Sequence, residues 1–364
     1  MFTKDSVQRV LASVIDPNTG RDLVASRSVK SIDVSASRVS VRIVLGYPAR
    51  SQLEPIRQAV LAALLAEPEW PAGAQADVVV DFEIVAHSVQ RGVKLVPGVR
   101  NIVAVASGKG GVGKSTTAAN LALALAAEGA SVGLLDADIY GPSQPTMLGI
   151  SGRPESPDEK SMNPLVGHGI QANSIGFLID PDNPMVWRGP MATSALEQLI
   201  NQTNWRDLDY LIVDMPPGTG DIQLTLAQRV PVTGAVIVTT PQDIALLDAR
   251  KGVRMFEKVG VPILGVIENM SVHICSNCGH AEHIFGEGGA QKMSEDFKID
   301  FLGSLPLDIQ IRMQADSGVP TVVAAPDSKA AHIYRQIARR VAVAIAAKQR
   351  DMSGKFPNIV VQNT

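Results

Sequence analysis

The residues Gly108-Lys109-Gly110-Gly111-Val112-Gly113-Lys114-Ser115-Thr116 form the glycine-rich stretch that decides the fold. The short apolar run 102–106 before it is typical of a buried strand, and the alanine- and leucine-rich run 117–127 after it is typical of a helix. Strand, glycine loop and helix in this order are the Walker A arrangement, in which backbone N–H groups and a helix N-terminus surround phosphate oxygens. The stretch therefore predicts a phosphate-binding loop.

Side chains in this loop and at later strand ends have matching chemical roles. Lys114 reaches the outer phosphates of a nucleotide, and the Ser115 hydroxyl ligates Mg²⁺. The apolar run 210–213 ends at Asp214, which supplies the carboxylate that a Walker B strand offers to Mg²⁺. Asp136 and Asp138 follow another apolar run, at the position where doubly wound sheets place their ligand crevice.

A dinucleotide-binding loop is the main alternative for the glycines. Gly108, Gly110 and Gly113 also satisfy the G-x-G-x-x-G pattern, and Asp136 follows at a suitable distance. That loop, however, needs neither a Lys-Ser pair directly after its last glycine nor an acidic residue such as Asp214 at a later strand end. The nucleoside triphosphate interpretation is therefore preferred over a dinucleotide site or a purely structural turn.

Hydrophobic patterning predicts two domains. Residues 1–90 show the order α-β-β-α-β, which indicates a small α+β domain, and residues 91–100 form a polar linker containing glycine and proline. Residues 101–350 alternate short, fully apolar strands with helices, which is typical of an α/β, doubly wound, mostly parallel sheet. Residues 351–364 form a polar tail for which no structure is predicted.

Composition argues against several classes of partner. The net charge of the 364 residues is −3 and no run of Lys or Arg exceeds two residues, so a nucleic-acid partner is not expected. Neither a signal peptide nor an apolar stretch long enough to span a bilayer is recognisable, so no membrane association and a cytoplasmic location are expected. The two cysteines, Cys275 and Cys278, are too few for a disulfide framework and pose the question of a metal or redox site.

The loop resembles the deviant Walker A box of the MinD/ParA/Mrp ATPases, whose additional lysine corresponds to Lys109. The resemblance implies ATP as the nucleotide and a homodimer in which Lys109 reaches the partner's nucleotide, with slow turnover. It further implies that Asp138 orients or deprotonates the attacking water, and that Asp136 holds Mg²⁺ through a water molecule. Asn269 corresponds to the residue that recognises adenine, and Pro306 to a residue near the other side of the base.

Further segments resemble the Mrp/ApbC iron–sulfur cluster carrier branch over residues 99–348. They are the segments 138–143, 186–191 and 302–308, together with Cys275-Ser276-Asn277-Cys278. The N-terminal domain resembles the small domain shared with iron–sulfur assembly factors. It departs from that pattern at Asp16-Pro17-Asn18, where the third residue is usually acidic, and it contains no cysteine. It is interpreted either as a docking module or as an inert structural fusion.

The cysteine pair admits three interpretations. Because a [4Fe–4S] cluster normally needs four cysteine ligands, a symmetric dimer that supplies Cys275 and Cys278 twice would hold one bridging cluster. Alternatively, Cys275, Cys278, His280 and His283 offer a local Cys₂His₂ zinc site, or the pair is a redox dithiol. The predicted function is an ATPase that carries a cluster from donors to apo iron–sulfur proteins. The alternative is a zinc-stabilised ATPase that acts as a spatial organiser or scaffold.

Overall fold

The computed structural model describes residues 3–70, 73–90, 93–179, 187 and 189–350. The predicted polar tail 351–364 lies outside the described residues, as do parts of the predicted linker and of the segment 186–191. Two main sheets organise the chain, one of three strands near the N-terminus and one of eight strands. The predicted α/β fold class, with a small α+β domain before a mostly parallel sheet, is confirmed.

The small domain has the predicted order of elements. They are α1 (Lys4–Leu11), β1 (Val29–Val34), β2 (Arg38–Leu45), α2 (Leu53–Leu65) and β3 (Gln75–Phe82). Strand β2 is central, antiparallel to β1 and parallel to β3. Val39, Val41, Ile43 and Leu45 alternate along β2 and are all buried, which is the period-two pattern of a strand with one face on a core.

The large sheet has the strand order β13-β10-β9-β4-β8-β5-β7-β6. Its strands are β4 (Val99–Ala106), β5 (Val132–Asp136), β6 (Leu165–Gly167), β7 (Ile170–Ser174), β8 (Leu208–Asp214), β9 (Gly234–Thr239), β10 (Ile263–Glu268) and β13 (Phe301–Ser304). A separate two-stranded hairpin consists of β11 (His273–Ile274) and β12 (Ala281–Glu282). Strand β6 is antiparallel to β7, whereas the other paired strands of the large sheet are parallel.

Helices cover both faces of this sheet. They are α3 (Lys114–Ala127), α4 (Gln144–Met147), α5 (Gly189–Asn201), α6 (Asp221–Arg229), α7 (Asp243–Lys258), α8 (Gly289–Phe297), α9 (Ile309–Asp316), α10 (Thr321–Ala324) and α11 (Lys329–Ala346). Alternate residues of β4 belong to different cores: Val103 and Val105 pack on one face, and Ala104 and Ala106 on the other. Burial on both faces explains why the central strands are continuously apolar in the sequence.

Parallel pairing brings the chemically important strand ends to one edge of the sheet. In the β5–β8 pair, Asp136 lies opposite Asp214, and the glycine loop follows β4 beside them. Strand β10 ends at Glu268, so Asn269 arrives at the same edge from the other side of β4. The carboxyl ends of four strands thus converge on one crevice, as doubly wound sheets require. Among the described residues, no helix is both long and apolar enough to cross a membrane.

Candidate nucleotide site and cysteine pair

The glycine loop closes tightly against its neighbours. Helix α3 begins at Lys114, and Gly113 before it has φ 78° and ψ 27°, in the left-handed region. A Cβ atom at Gly113 would lie 2.2 Å from Nδ2 of Asn269, and one at Gly108 would lie 2.1 Å from the carbonyl carbon of Asp248. Gly113 is therefore required for its left-handed backbone conformation and because a side chain would have no space. Gly108 is required because α7 approaches its backbone closely.

Lys114 and Asp214 form a buried ion pair in this crevice. Nζ of Lys114 donates to Oδ1 of Asp214, and it lies 3.1 Å from Oγ of Ser115. The side chains of Lys114 and Asp214 are 5% and 0% exposed. The residue predicted to reach phosphate and the residue predicted to reach Mg²⁺ are thus in direct contact, and each neutralises the charge of the other.

Asp136 anchors the loop that carries Asp138. Its carboxylate accepts hydrogen bonds from the backbone N–H groups of Asp138, Ser143 and Gln144 at 3.0 to 3.1 Å, and from the Ser174 hydroxyl at 3.0 Å. Burial, and next the negative charge of Asp214, raise the pKa of Asp136 to about 7. Since both carboxylate oxygens accept bonds from this loop, Asp136 holds the loop's shape.

Asp138 is half-buried at the edge of the same crevice. Burial raises its pKa; the charge of Lys114 acts to lower it and that of Asp214 to raise it. The charges of Lys114 and Asp214 thus both act on the Asp138 carboxylate. The site therefore contains a third carboxylate that is not committed to the Lys114–Asp214 contact.

Gln144 is a site residue that the sequence did not reveal. Its Nε2 donates to Oδ2 of Asp214 at 2.8 Å and to the carbonyl oxygen of Ser115 at 3.0 Å. The side chain is 1% exposed, and its Oε1 has no hydrogen-bond partner within the described structure. The only signal in the sequence was its position directly after the segment 138–143, because glutamine has no pattern that marks it as a ligand.

The residues predicted to hold Mg²⁺ fit such an ion. The Ser115 hydroxyl and the Asp214 carboxylate are oxygen ligands, which this hard cation prefers. The unpartnered Oε1 of Gln144 is a further buried oxygen on a side chain bonded to Asp214. Ser115 and Asp214 would therefore hold the ion, which when bound neutralises charge on the phosphate oxygens.

Asn269 contacts the phosphate loop directly. Its Nδ2 donates to the carbonyl oxygen of Val112 at 2.9 Å, and its Oδ1 accepts from the N–H of Met270 at 2.9 Å. The Pro306 segment lies alongside, because the N–H of Ser271 donates to the Leu305 carbonyl at 3.0 Å. The structure thus brings Asn269 and Pro306 to the same side of the loop, and adenine recognition by both stays a prediction.

Lys109 is half-buried in the loop. Its carbonyl oxygen accepts a hydrogen bond from the Ser107 hydroxyl at 2.8 Å, which holds the backbone of the loop. Within the described ranges its side chain makes no ion pair. The ammonium group is thus not tied to any described carboxylate, and its predicted action on a partner's nucleotide stays a prediction.

Cys275 and Cys278 lie in the turn of the β11–β12 hairpin. The N–H of Cys275 donates to the His280 carbonyl at 2.9 Å, and the N–H of Gly279 donates to the Cys275 carbonyl at 2.9 Å. Cys275 is half-buried and Cys278 is exposed. Backbone N–H groups of Cys278 and Asn277 point at the Cys275 thiol and lower its pKa. The turn therefore presents two thiols at the surface and favours the thiolate of the first.

The side chains of the two nearby histidines, His280 and His283, are both exposed. Nδ1 of His283 donates to the Ser271 carbonyl at 2.7 Å, and Nε2 lies 3.6 Å from Oε1 of Glu287. In the part of the chain that the structure describes, no three His, Cys, Asp or Glu side chains are grouped as a metal site. The four side chains considered for zinc are thus not gathered around one point within a chain.

Comparison with known proteins agrees with this geometry. Residues 98–342 match the ParA family described as NUBPL iron-transfer P-loop NTPase, and residues 4–78 match a family described as iron–sulfur cluster assembly protein. The chain is 54% identical over 342 residues to the iron–sulfur cluster carrier protein of Escherichia coli K12, covering 92% of this chain and 90% of that protein. It is also 54% identical over 250 residues to the mouse iron–sulfur cluster transfer protein NUBPL, covering 68% and 78% of the two chains.

A solved structure supports the fold of the larger domain. The nucleotide-binding protein of Archaeoglobus fulgidus, in complex with ADP, is 37% identical, with a TM-score of 0.54. The match covers 61% of this chain and 87% of that one. The resemblance inferred from the loop and the later segments is confirmed, and the chain belongs to the ParA/NUBPL family of iron-transfer P-loop NTPases, among relatives named iron–sulfur cluster carrier proteins.

Proposed function

We propose that the protein is an ATP-hydrolysing iron–sulfur cluster carrier, which holds one [4Fe–4S] cluster between two subunits and transfers it to apoproteins. The observation that carries the proposal is the placement of the cysteine hairpin. It follows directly from Asn269, whose side chain is bonded to the phosphate loop at Val112. A change in the loop on nucleotide binding therefore has a short covalent path to Cys275 and Cys278.

The nucleotide chemistry follows from the crevice. Lys114 binds the outer phosphates, and the resulting loss of its contact with Asp214 leaves that carboxylate free for Mg²⁺. Asp138 orients the attacking water or accepts its proton, which is general-base work. Lys109 of each subunit reaches the other subunit's nucleotide and stabilises charge on the transferring phosphoryl group, as an arginine finger does.

The cluster chemistry follows from the number of thiols. Each chain contains two cysteines, and a [4Fe–4S] cluster normally has four thiolate ligands. Two hairpins related by a two-fold axis would supply the four, and the exposed position of Cys278 leaves room for a second copy. The lowered pKa of Cys275 favours the thiolate form that binds iron. Thiolates of this kind persist in a reducing compartment, so the cytoplasm is the expected location.

Anaerobic reconstitution with iron and sulfide tests this proposal. We expect about four iron and four sulfide atoms per dimer, since one cluster bridges two chains. Cys275→Ala and Cys278→Ala should each lose the cluster and its transfer to an apoprotein while retaining ATP binding, because neither thiol touches the phosphate loop. Ser276→Ala, within the same turn, is the matched control and should load normally.

Zinc would give a different result. About one zinc ion per monomer, no bound iron, and loss of that zinc in His280→Ala or His283→Ala would establish the local site. The proposed carrier function would then be wrong, and the hairpin would serve only to stabilise the structure.

A further inference from the structure

A cleft of about 900 Å³ lies between the small domain and the last helix of the larger domain. One wall comes from the small domain, including the loop before β1 and the end of β2. The other comes from the start of β13 and the C-terminal half of α11. Its volume is at the upper end of the range for ligand sites. It is separate from the nucleotide crevice, since none of its lining residues belongs to the phosphate loop.

The cleft is strongly cationic. Its lining includes Arg21, Arg27, Lys30, Arg340 and Arg350, and a single acidic residue, Asp300. The formal charge of the lining is +4 (five cations less one anion), whereas the whole chain carries −3. The rest of the chain is therefore net −7 (−3 less +4), so the cleft is opposite in sign to the remainder of the chain. A concave surface of one sign focuses the field and attracts ligands of the opposite sign.

No described carboxylate neutralises these cations. Within the described residues none of the five forms an ion pair. Nη1 of Arg340 donates to the Leu302 carbonyl at 2.9 Å, and Nζ of Lys30 donates to the Arg27 carbonyl at 3.2 Å. Carbonyl partners hold these side chains in place but leave their charge uncompensated. The cleft thus has charges in position for a carboxylate-bearing ligand.

A buried polar network keeps the two walls together. Arg339 of α11 donates to Oδ1 of Asn18 at 2.9 Å and to Oε1 of Glu128 at 2.7 Å. Glu128 is almost fully buried and also accepts from the hydroxyl and N–H of Ser51. Asn18 in turn donates to the Tyr47 hydroxyl at 3.1 Å. Because small-domain and large-domain residues share these bonds, the cleft is preformed and needs no closure to bind.

The backbone in the wall indicates the form of the ligand. Phe301 and Leu302 belong to β13, the edge strand of the large sheet, and extended peptides bind along such edges. A single-stranded nucleic acid would need exposed aromatic rings on which its bases stack. The aromatic residues here are Tyr47, which is buried with its hydroxyl bonded to Asp16, and the half-buried Phe301. The lining therefore favours an acidic peptide.

We propose that this cleft binds an acidic, extended segment of the protein that gives or receives the cluster. The inference rests on the proposed carrier function for the identity of the partner, and on the cleft itself for the chemistry of recognition. It makes the small domain a docking module, one of the two interpretations left open by the sequence.

Fluorescence anisotropy with a fluorescein-labelled octaglutamate peptide tests the cleft. The test variant is Arg21→Gln/Lys30→Gln, since both side chains are exposed and lack a carboxylate partner. The matched control is Arg153→Gln/Lys160→Gln, which removes two exposed cations that do not line the cleft. We expect the control to bind like wild type and the test variant to bind about tenfold more weakly, from the loss of two charge contacts.

Several results would overturn the inference. They are no binding by the wild-type protein, equal weakening in both variants, or stronger binding of an octathymidylate than of octaglutamate, which would identify a nucleic-acid site. Displacement of the peptide by citrate at equal charge concentration would instead identify a small-anion site. Thermal unfolding at an unchanged temperature would show that the test variant is folded.

Cluster transfer separates this inference from the proposed function. If the carrier function is correct, octaglutamate should slow transfer from reconstituted wild-type protein to an apoprotein with an acidic surface segment. The same slowing of transfer from the test variant should need about tenfold more peptide. Failure of the wild type to bind iron would contradict the carrier function while leaving peptide binding measurable. Normal cluster loading with no peptide binding would contradict the cleft alone.

Discussion

Lys114 donates to the carboxylate of Asp214, and the two side chains neutralise each other in a site that water hardly reaches. Removing one partner of such a pair leaves an uncompensated buried charge. We therefore expect Lys114→Met to lower the free energy of unfolding by about 3 to 5 kcal/mol. Adding Asp214→Asn should restore much of the lost free energy of unfolding. Urea denaturation of the single and double variants measures both effects.

The same substitution should abolish tight ATP binding, because it removes the charged contact to the outer phosphates. The double variant should recover stability without recovering affinity in calorimetry. ATP affinity equal to that of wild type in Lys114→Met would contradict the assignment of the phosphate loop.

Asp138→Asn should retain Mg·ATP binding but lose turnover by about 10²- to 10⁴-fold, the usual contribution of a general base. Since burial raises the pKa of Asp138, the wild-type rate should fall on acidification at a pH above the ordinary aspartate pKa of about 3.9. Phosphate release measured against pH checks both points. Turnover within a few-fold of wild type in the variant would remove Asp138 from the mechanism.

Gln144→Leu should weaken Mg·ATP binding by about tenfold, because it removes the bonds that orient the Asp214 carboxylate and the Ser115 carbonyl. ATP affinity in the presence of EDTA should change less, since Asp214 acts through the metal. The control is Gln171→Leu, which removes a glutamine bonded to the backbone of Arg206 at a distance from the crevice. Equal losses with and without Mg²⁺ would indicate a purely structural role.

Cys275 should form its thiolate at lower pH than an ordinary cysteine, because backbone N–H groups of Cys278 and Asn277 stabilise the anion. The alkylation rate of Cys275 by iodoacetamide, followed by mass spectrometry, should therefore have a pH midpoint below the reference value of about 8.5. Cys278→Ala should raise that midpoint only in part, since the two N–H groups remain. A wild-type midpoint at or above the reference would contradict the turn geometry.

Local hydrophobic patterns in the sequence predicted the strands whose ends form the nucleotide crevice. The runs 102–106, 132–135 and 210–213 correspond to β4, β5 and β8, because strands buried on both faces must be apolar throughout. Strands β6, β7 and β13 were missed. Strand β6 has three residues, and β7 reads Ile-Gln-Ala-Asn-Ser, so neither has the apolar run that marks a central strand.

The phosphate loop is recognisable in the sequence because its chemistry is local: the glycines, Lys114 and Ser115 are contiguous and must be those residue types to surround a phosphate. The partners of these residues come from distant parts of the chain. Only the pairing of β5 with β8 sets Asp136 opposite Asp214, and only the loop held by Asp136 brings Gln144 to the metal ligands.

The cationic cleft depends on tertiary structure still more completely. Arg21 and Lys30 are separated from Arg340 by most of the chain, and no local pattern of charge joins them. They meet because Arg339 of the large domain binds Asn18 of the small domain, and Ser51 of the small domain binds Glu128 of the large one. The sequence by itself thus determined the phosphate loop and the positions along the chain of the strands around it, since these follow from short-range spacing and hydrophobicity. The tertiary structure decided which distant polar groups share one site, because long-range packing sets their distances.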